Sequence, residues 1–174
     1  MKIAFYLGSF DPFHNGHLKV VKEAFDKFKM DKVVIVPTMQ NPWKKNKVKE
    51  IYDRGNIIAL SIADLYWKEG LDVVVDYTEL ALEPPYYSYV TLDALKKKYG
   101  EGNSLYFLCG ADTTKNVKHW KNGDKIFKEW TFLVVDRPED DISSSRIKQL
   151  IKEHEDISPY VNTKLTPLIT RYYS

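Results

Sequence analysis

The sequence predicts an α/β protein built on a doubly wound, five-stranded parallel sheet with helices on both faces. Three observations carry this. Short apolar runs rich in β-branched and aromatic residues recur five times, segments of helical periodicity separate most of them, and the runs are continuous rather than alternating. Continuous apolar strands belong to sheets covered on both faces, and a strand–helix–strand series joins parallel strands by right-handed crossovers.

Taken in order, the expected strands are Ile3–Leu7, Val33–Val36, Leu71–Val75, Leu105–Cys109 and Phe132–Val135. Between them, helical spacing of apolar residues marks Leu18–Phe28, Ile51–Trp67 and Val90–Tyr99, then a shorter piece between Thr113 and Lys128. A last pattern covers Arg146–His154 and leads into a C-terminal helical segment. Asn41 to Lys49, with four lysines and one proline, reads as a loop. At 174 residues the chain is expected to form one domain over 1–174.

Composition narrows the function classes. With 26 Lys+Arg against 24 Asp+Glu the net charge is only +2, so no global field draws the chain to nucleic acid or to an anionic membrane, and phosphate affinity must be local. No apolar run approaches the roughly 20 residues that span a bilayer. Cys109 is the only cysteine and cannot form an internal disulfide, and Met1-Lys2 runs directly into the first strand without a leader. A cytoplasmic location is expected. The oligomeric state stays open, a homo-oligomer included.

In doubly wound sheets ligands bind beyond the carboxyl ends of the strands. The most informative stretch lies at the first such end: Gly8-Ser9-Phe10-Asp11-Pro12-Phe13-His14-Asn15-Gly16-His17. A glycine turn followed by a helix start gives close backbone approach, free N–H donors and a positive dipole end, which suit a phosphate. His14 and His17, three apart, can serve the same anion from the turn and from the first helical turn. The nicotinamide-dehydrogenase alternative fails, because Gly8 and Gly16 have seven residues between them and the second strand ends Val36-Pro37-Thr38 without an acid. A zinc site is also disfavoured: the two histidines lack the i, i+4 spacing, and His119 and His154 lie far along the chain.

Two further constellations lie at strand ends. Ile142-Ser143-Ser144-Ser145-Arg146-Ile147-Lys148 follows the fifth strand and opens a helix. One serine suffices for a cap, so three hydroxyls with Arg146 and Lys148 make a second anion site. After the fourth strand, Gly110 lets a base or ribose lie against backbone and Asp112 accepts from hydroxyls, with Trp120 shortly beyond.

The decapeptide resembles the GxFDPxHxGH signature that opens the dinucleotide-forming adenylyltransferases of the HxGH nucleotidyltransferase superfamily, which implies a Rossmann-like nucleotidyltransferase fold. Residues 142–148 are similar to that family's ISSxxIR motif, with Lys148 where its arginine usually stands and Arg146 at a variable place. Gly110-Ala111-Asp112 with Trp120 resembles the GAD…W element of the pyridine-nucleotide branch, in which the tryptophan stacks on the acceptor's ring.

The resemblance implies transfer of AMP from ATP to nicotinate mononucleotide, giving deamido-NAD and pyrophosphate in NAD biosynthesis. It casts His14, His17, Lys148 and Arg146 as the catalytic set, and Gly8, Ser9, Phe10, Gly16, Gly110, Asp112, Ser143, Ser144 and Ser145 as the ATP site. Thr91, Trp120, Lys44 and Arg137 fall to the acceptor, with Lys45 an alternative to Lys44. Mg²⁺ is expected to arrive with ATP rather than at a protein metal site. Nicotinamide mononucleotide and pantetheine phosphate are the alternative acceptors. A non-catalytic nucleotide- or RNA-binding module is the alternative of another class.

Overall fold

All five expected strands form, and they join one parallel sheet: β1 (Lys2–Gly8), β2 (Lys32–Pro37), β3 (Val73–Val75), β4 (Ser104–Gly110) and β5 (Thr131–Val135), in the order β3-β2-β1-β4-β5. The computed structural model describes residues 1–39, 49–138 and 141–174. β1 is central, pairing Phe5 with Val34 of β2 on one side and with Phe107 of β4 on the other.

The period-2 geometry of the strands divides their side chains between two cores. Ala4, Tyr6, Val33, Ile35 and Leu108 enter one, under helices α1 (Asn15–Asp26), α2 (Ile51–Trp67), α6 (Ser144–Lys152) and α7 (Thr166–Tyr173). Ile3, Phe5, Val34, Phe107 and Cys109 enter the other, under α3 (Ser88–Tyr99), α4 (Ala111–Val117) and α5 (Gly123–Glu129). Helices cover both faces, which accounts for the unbroken apolar runs. Among the described residues no helix is long and apolar enough to cross a membrane.

The element bounds depart from expectation for local reasons. The piece expected between Thr113 and Lys128 is two helices, divided where Asn122 adopts a left-handed backbone with φ 55°. β3 is shorter than Leu71–Val75, because the N–H of Leu71 is spent on the carbonyl of Leu65 at the end of α2. α1 starts at Asn15 and α6 at Ser144, ahead of the first apolar residues, since His14 and Ser143 cap them. α6 ends at Lys152, just before His154 turns left-handed at φ 58°.

From β1 the chain moves through α1 and α2 to one side of the sheet, and from β4 it continues to the other. The carboxyl ends of β1 and β4 are therefore neighbours at the switch in strand order, where a crevice opens.

Candidate active site

Gly8 ends β1, and its missing Cβ leaves room for the ring of Phe10, whose Cζ would lie 3.0 Å from a Cβ placed there. Phe10 itself has φ 47°, so the loop doubles back and tucks the ring under the strand end against Tyr6, Phe13 and His17. Glycine at position 8 thus serves the fold of the loop as well as any approach of a ligand. The fully buried Arg54 of α2 fixes the loop from below, donating from Nη1 to the Ser9 carbonyl at 2.6 Å and from Nε to the Lys49 carbonyl at 2.7 Å.

α1 opens on a reciprocal cap made by the two histidines. His14 Nδ1 accepts from the Gly16 N–H at 3.0 Å, and His17 Nδ1 accepts from the His14 N–H at 3.2 Å. With Nδ1 accepting in both rings, the neutral imidazoles carry their protons on Nε2 and present donors there. Burial, and then the charge of Arg137, push the His14 pKa down to about 4. His14 is therefore neutral at physiological pH.

Arg137 stands over this helix start. Its Nε donates to Asp141 Oδ2 at 2.8 Å and its Nη2 to the Ile142 carbonyl at 2.8 Å. Burial raises the Asp141 carboxyl, but the hydrogen bond and charge of Arg137 outweigh it and hold the group below its ordinary value. Gly16 is required by this packing: a Cβ there would come within 2.6 Å of Arg137 Nη2 and 2.9 Å of His14 Cε1.

Between the ends of β1 and β4 lies a cavity of about 260 Å³. It gathers eight of the residues singled out from sequence: Gly8, Ser9, Phe10, His17, Gly110, Asp112, Arg137 and Ser144. Tyr6 and Thr113 line it too, although neither carried a motif signal. Ser144 also donates to the Pro12 carbonyl at 2.8 Å, which ties the start of α6 to the β1–α1 loop.

The other expected residues stand elsewhere. Lys148 is bound to Asp11, Nζ to Oδ2 at 3.1 Å, at the back of the loop. Ser143 is spent as the α6 cap and Ser145 is exposed. Arg146 faces a separate groove of about 590 Å³ with Gly16, Lys19 and Asp141, and its Nη1 lies 3.7 Å from Glu153 Oε2. Arg146 and Lys148 are two residues apart on a helix, so they leave it in different directions.

Two residues expected at the acceptor do not line the cavity. Thr91 is fully buried and donates to Glu79 Oε1 at 2.7 Å, so its hydroxyl supports the fold rather than contacting a ligand. Trp120 is half-buried against the core beneath α4 and α5. Lys44 and Lys45 lie outside the described residues. Asp11, Arg54 and Tyr173 emerge as supports of the loop that sequence reasoning gave no role. Asp11 stands inside the signature and Arg54 in the first turn of α2, whereas nothing in the sequence singles out Tyr173.

A family model described as cytidylyltransferase-like matches residues 5–150, which span β1 through most of α6 and every residue lining the cavity. The chain belongs to this family. A Fusobacterium nucleatum protein named as a probable nicotinate-nucleotide adenylyltransferase is 32% identical, with 99% of each chain covered, which places the chain in the nicotinate-nucleotide adenylyltransferase branch. A Vibrio parahaemolyticus structure assigned to the same activity superposes with a TM-score of 0.76 at 23% identity, covering 97% of both chains. The Plasmodium falciparum nicotinic acid mononucleotide adenylyltransferase, solved with NaAD, gives 0.72 at 17%, covering 98% of this chain and 93% of that one. At these identities the structural likeness speaks for the fold alone.

Proposed function

We propose that this chain transfers the adenylyl group of ATP to nicotinate mononucleotide, forming deamido-NAD and pyrophosphate. The observation that carries the proposal is the crevice at the switch in strand order, where Gly8, His17, Gly110, Asp112, Arg137 and Ser144 meet. The branch to which the chain belongs supports the choice of acceptor.

In this reaction a phosphate oxygen of the mononucleotide attacks the α-phosphorus of ATP, and the bond to the β-bridging oxygen breaks to release pyrophosphate. The attacking oxygen is ionised at neutral pH, so no side chain has to remove a proton from it. Catalysis then rests on in-line placement and on stabilising charge at the transferring group. His17 suits this role, because it lines the cavity and the bond from the His14 N–H to its Nδ1 places the ring proton on Nε2. His14, held neutral, adds a second donor and keeps α1's positive end aimed at the phosphates. Arg137 and Lys148 supply formal positive charge, with Ser144 and Ser145 as hydroxyl donors. Mg²⁺ would be supplied with ATP as part of the substrate and would help to neutralise the phosphate charge.

Gly110 and Asp112 suit the adenosine, with backbone against the ring and a carboxylate accepting from ribose hydroxyls. Trp120 and the segment around Lys44 are assigned to the acceptor, and the reaction to the cytoplasm. Pyrophosphate release from ATP, measured side by side with nicotinate mononucleotide, nicotinamide mononucleotide and pantetheine phosphate, tests the assignment. The highest kcat/KM is expected with nicotinate mononucleotide. A higher value with another acceptor reassigns the substrate, and no release with any of them overturns the enzymatic reading.

A further inference from the structure

Asp11 lies inside the signature loop yet does not line the cavity; it is 4% exposed and surrounded by donors. Its Oδ2 accepts from Lys148 Nζ at 3.1 Å. Its Oδ1 accepts from the Tyr173 hydroxyl at 2.7 Å and, more weakly, from the Lys49 N–H at 3.4 Å. Tyr173 belongs to α7, 162 residues away, and its ring is buried in the core shared by α1, α2 and α6. Phenylalanine would fill that core equally well. The hydroxyl carries a desolvation cost, which its bond to Asp11 offsets.

We infer that Tyr173 is a positioning residue for the nucleotide site: by holding one oxygen of Asp11 it sets how firmly Lys148 is retained before ATP binds. This rests on the reading that Lys148 meets the triphosphate. A carboxylate as enclosed as Asp11 takes its stabilisation from whatever donors it has. With Tyr173 on Oδ1, part of that demand is met by a neutral group, and Lys148 is held by one bond at a position where its side chain is still 35% exposed. It can then pass to an incoming phosphate. Burial, and then the bond to Asp11, push the Tyr173 phenol up, so the hydroxyl stays a donor throughout the neutral range. Without the hydroxyl the carboxylate keeps only the weaker Lys49 N–H beside Lys148, so it leans harder on Lys148 and competes with ATP for it.

The test is a double-mutant cycle of Tyr173→Phe and Lys148→Met, read by calorimetric titration of Mg·ATP into the full chain and by thermal melting. Tyr173→Phe should weaken ATP binding about three- to tenfold, the scale of one ordinary hydrogen bond, together with a modest fall in Tm from the donor that Asp11 loses. In the Lys148→Met background the same substitution should have no further effect on Kd, because the group it acts through is gone. A lowered Tm with unchanged Kd overturns the inference, as do independent effects of the two substitutions, or an unaltered Kd in Lys148→Met. The titration needs no acceptor: failure of the wild-type chain to turn over nicotinate mononucleotide would sink the proposed function while leaving this cycle readable.

Discussion

His14 and His17 stack with ring centroids 3.8 Å apart and an interplanar angle of 28°, joined by the bond from the His14 N–H to His17 Nδ1. Two imidazoles in van der Waals contact repel strongly if both are charged, and the inner one is desolvated as well. Both Nδ1 atoms accept from backbone N–H groups, and burial keeps the inner ring, His14, neutral. The pair differs in exposure. His14 is 3% exposed and ends the cap, whereas His17 lines the cavity.

That difference makes His17 the ring to remove first. His17→Ala should lower kcat by about 2–4 kcal/mol in transition-state stabilisation, the scale of one preorganised donor, with much less effect on ATP affinity. Single-turnover rates and ATP titration on the same variant check it; near-normal turnover removes the assignment.

The low pKa of His14 also links stability to pH. Its folded value of about 4 lies below the ordinary 6.5, so between those values the unfolded chain binds the extra proton. Stability from this group is complete above about pH 6.5 and is lost as pH falls toward 4, by about 3 kcal/mol at most. Glu79 acts in the opposite sense: burial raises its carboxyl, outweighing the bonds from Met39 and Thr91, so acidification favours its folded form. Comparing denaturant melts of wild type and His14→Asn cancels Glu79. Asparagine keeps a cap acceptor, so the variant should show the flatter profile from pH 6.5 to 4, and parallel profiles would remove His14 as the cause.

Strand identities were legible because a parallel sheet covered on both faces demands unbroken apolar runs, and β1 with its glycine turn announces the ligand-binding end. Legible too was the convergence of Gly8, His17, Gly110, Asp112 and Ser144, since the rule for strand carboxyl ends needs only their order along the chain. What sequence could not display was direction. Arg146 and Lys148 are both basic and two residues apart, and only the seating of α6 on the core sends one to Asp11 and the other to the groove beside Asp141. The Thr91 hydroxyl invites a ligand role until the buried Glu79 is found opposite it. Tyr173 was invisible because its partner lies at the other end of the chain.

Direction decides the next prediction. Lys148→Ala should raise the KM for ATP more than Arg146→Ala does, since Lys148 sits against the signature loop while Arg146 is half-exposed near Glu153. Initial-rate kinetics of both variants at saturating acceptor give the ranking. The reverse order would place the triphosphate on the Arg146 side of α6.

Arg54 should matter to the loop's integrity. Arg54→Met keeps the stem but removes the donors to the Ser9 and Lys49 carbonyls, and with them the tie between α2 and the signature loop. A loss of about 2–4 kcal/mol in denaturant unfolding is expected. A loss below about 0.5 kcal/mol, the range of ordinary surface substitutions, would mean that the loop is held by its other contacts.

Trp120 tests the acceptor assignment, because its half-buried place beneath α4 and α5 is compatible with packing as well as with stacking on a pyridine ring. The two uses separate cleanly. Aromatic stacking is worth about 0.5–1.5 kcal/mol beyond burial, so Trp120→Ala should raise the acceptor's KM several-fold and leave that of ATP almost unchanged. Packing alone would instead lower Tm and spare both constants. Preference for nicotinate over nicotinamide is expected to come from N–H donors around the carboxylate, which an amide NH₂ would leave unpaired. Competition between the two mononucleotides reads this directly: a higher kcat/KM for nicotinamide mononucleotide would refute the nicotinate assignment, while adenylyl transfer itself would stand.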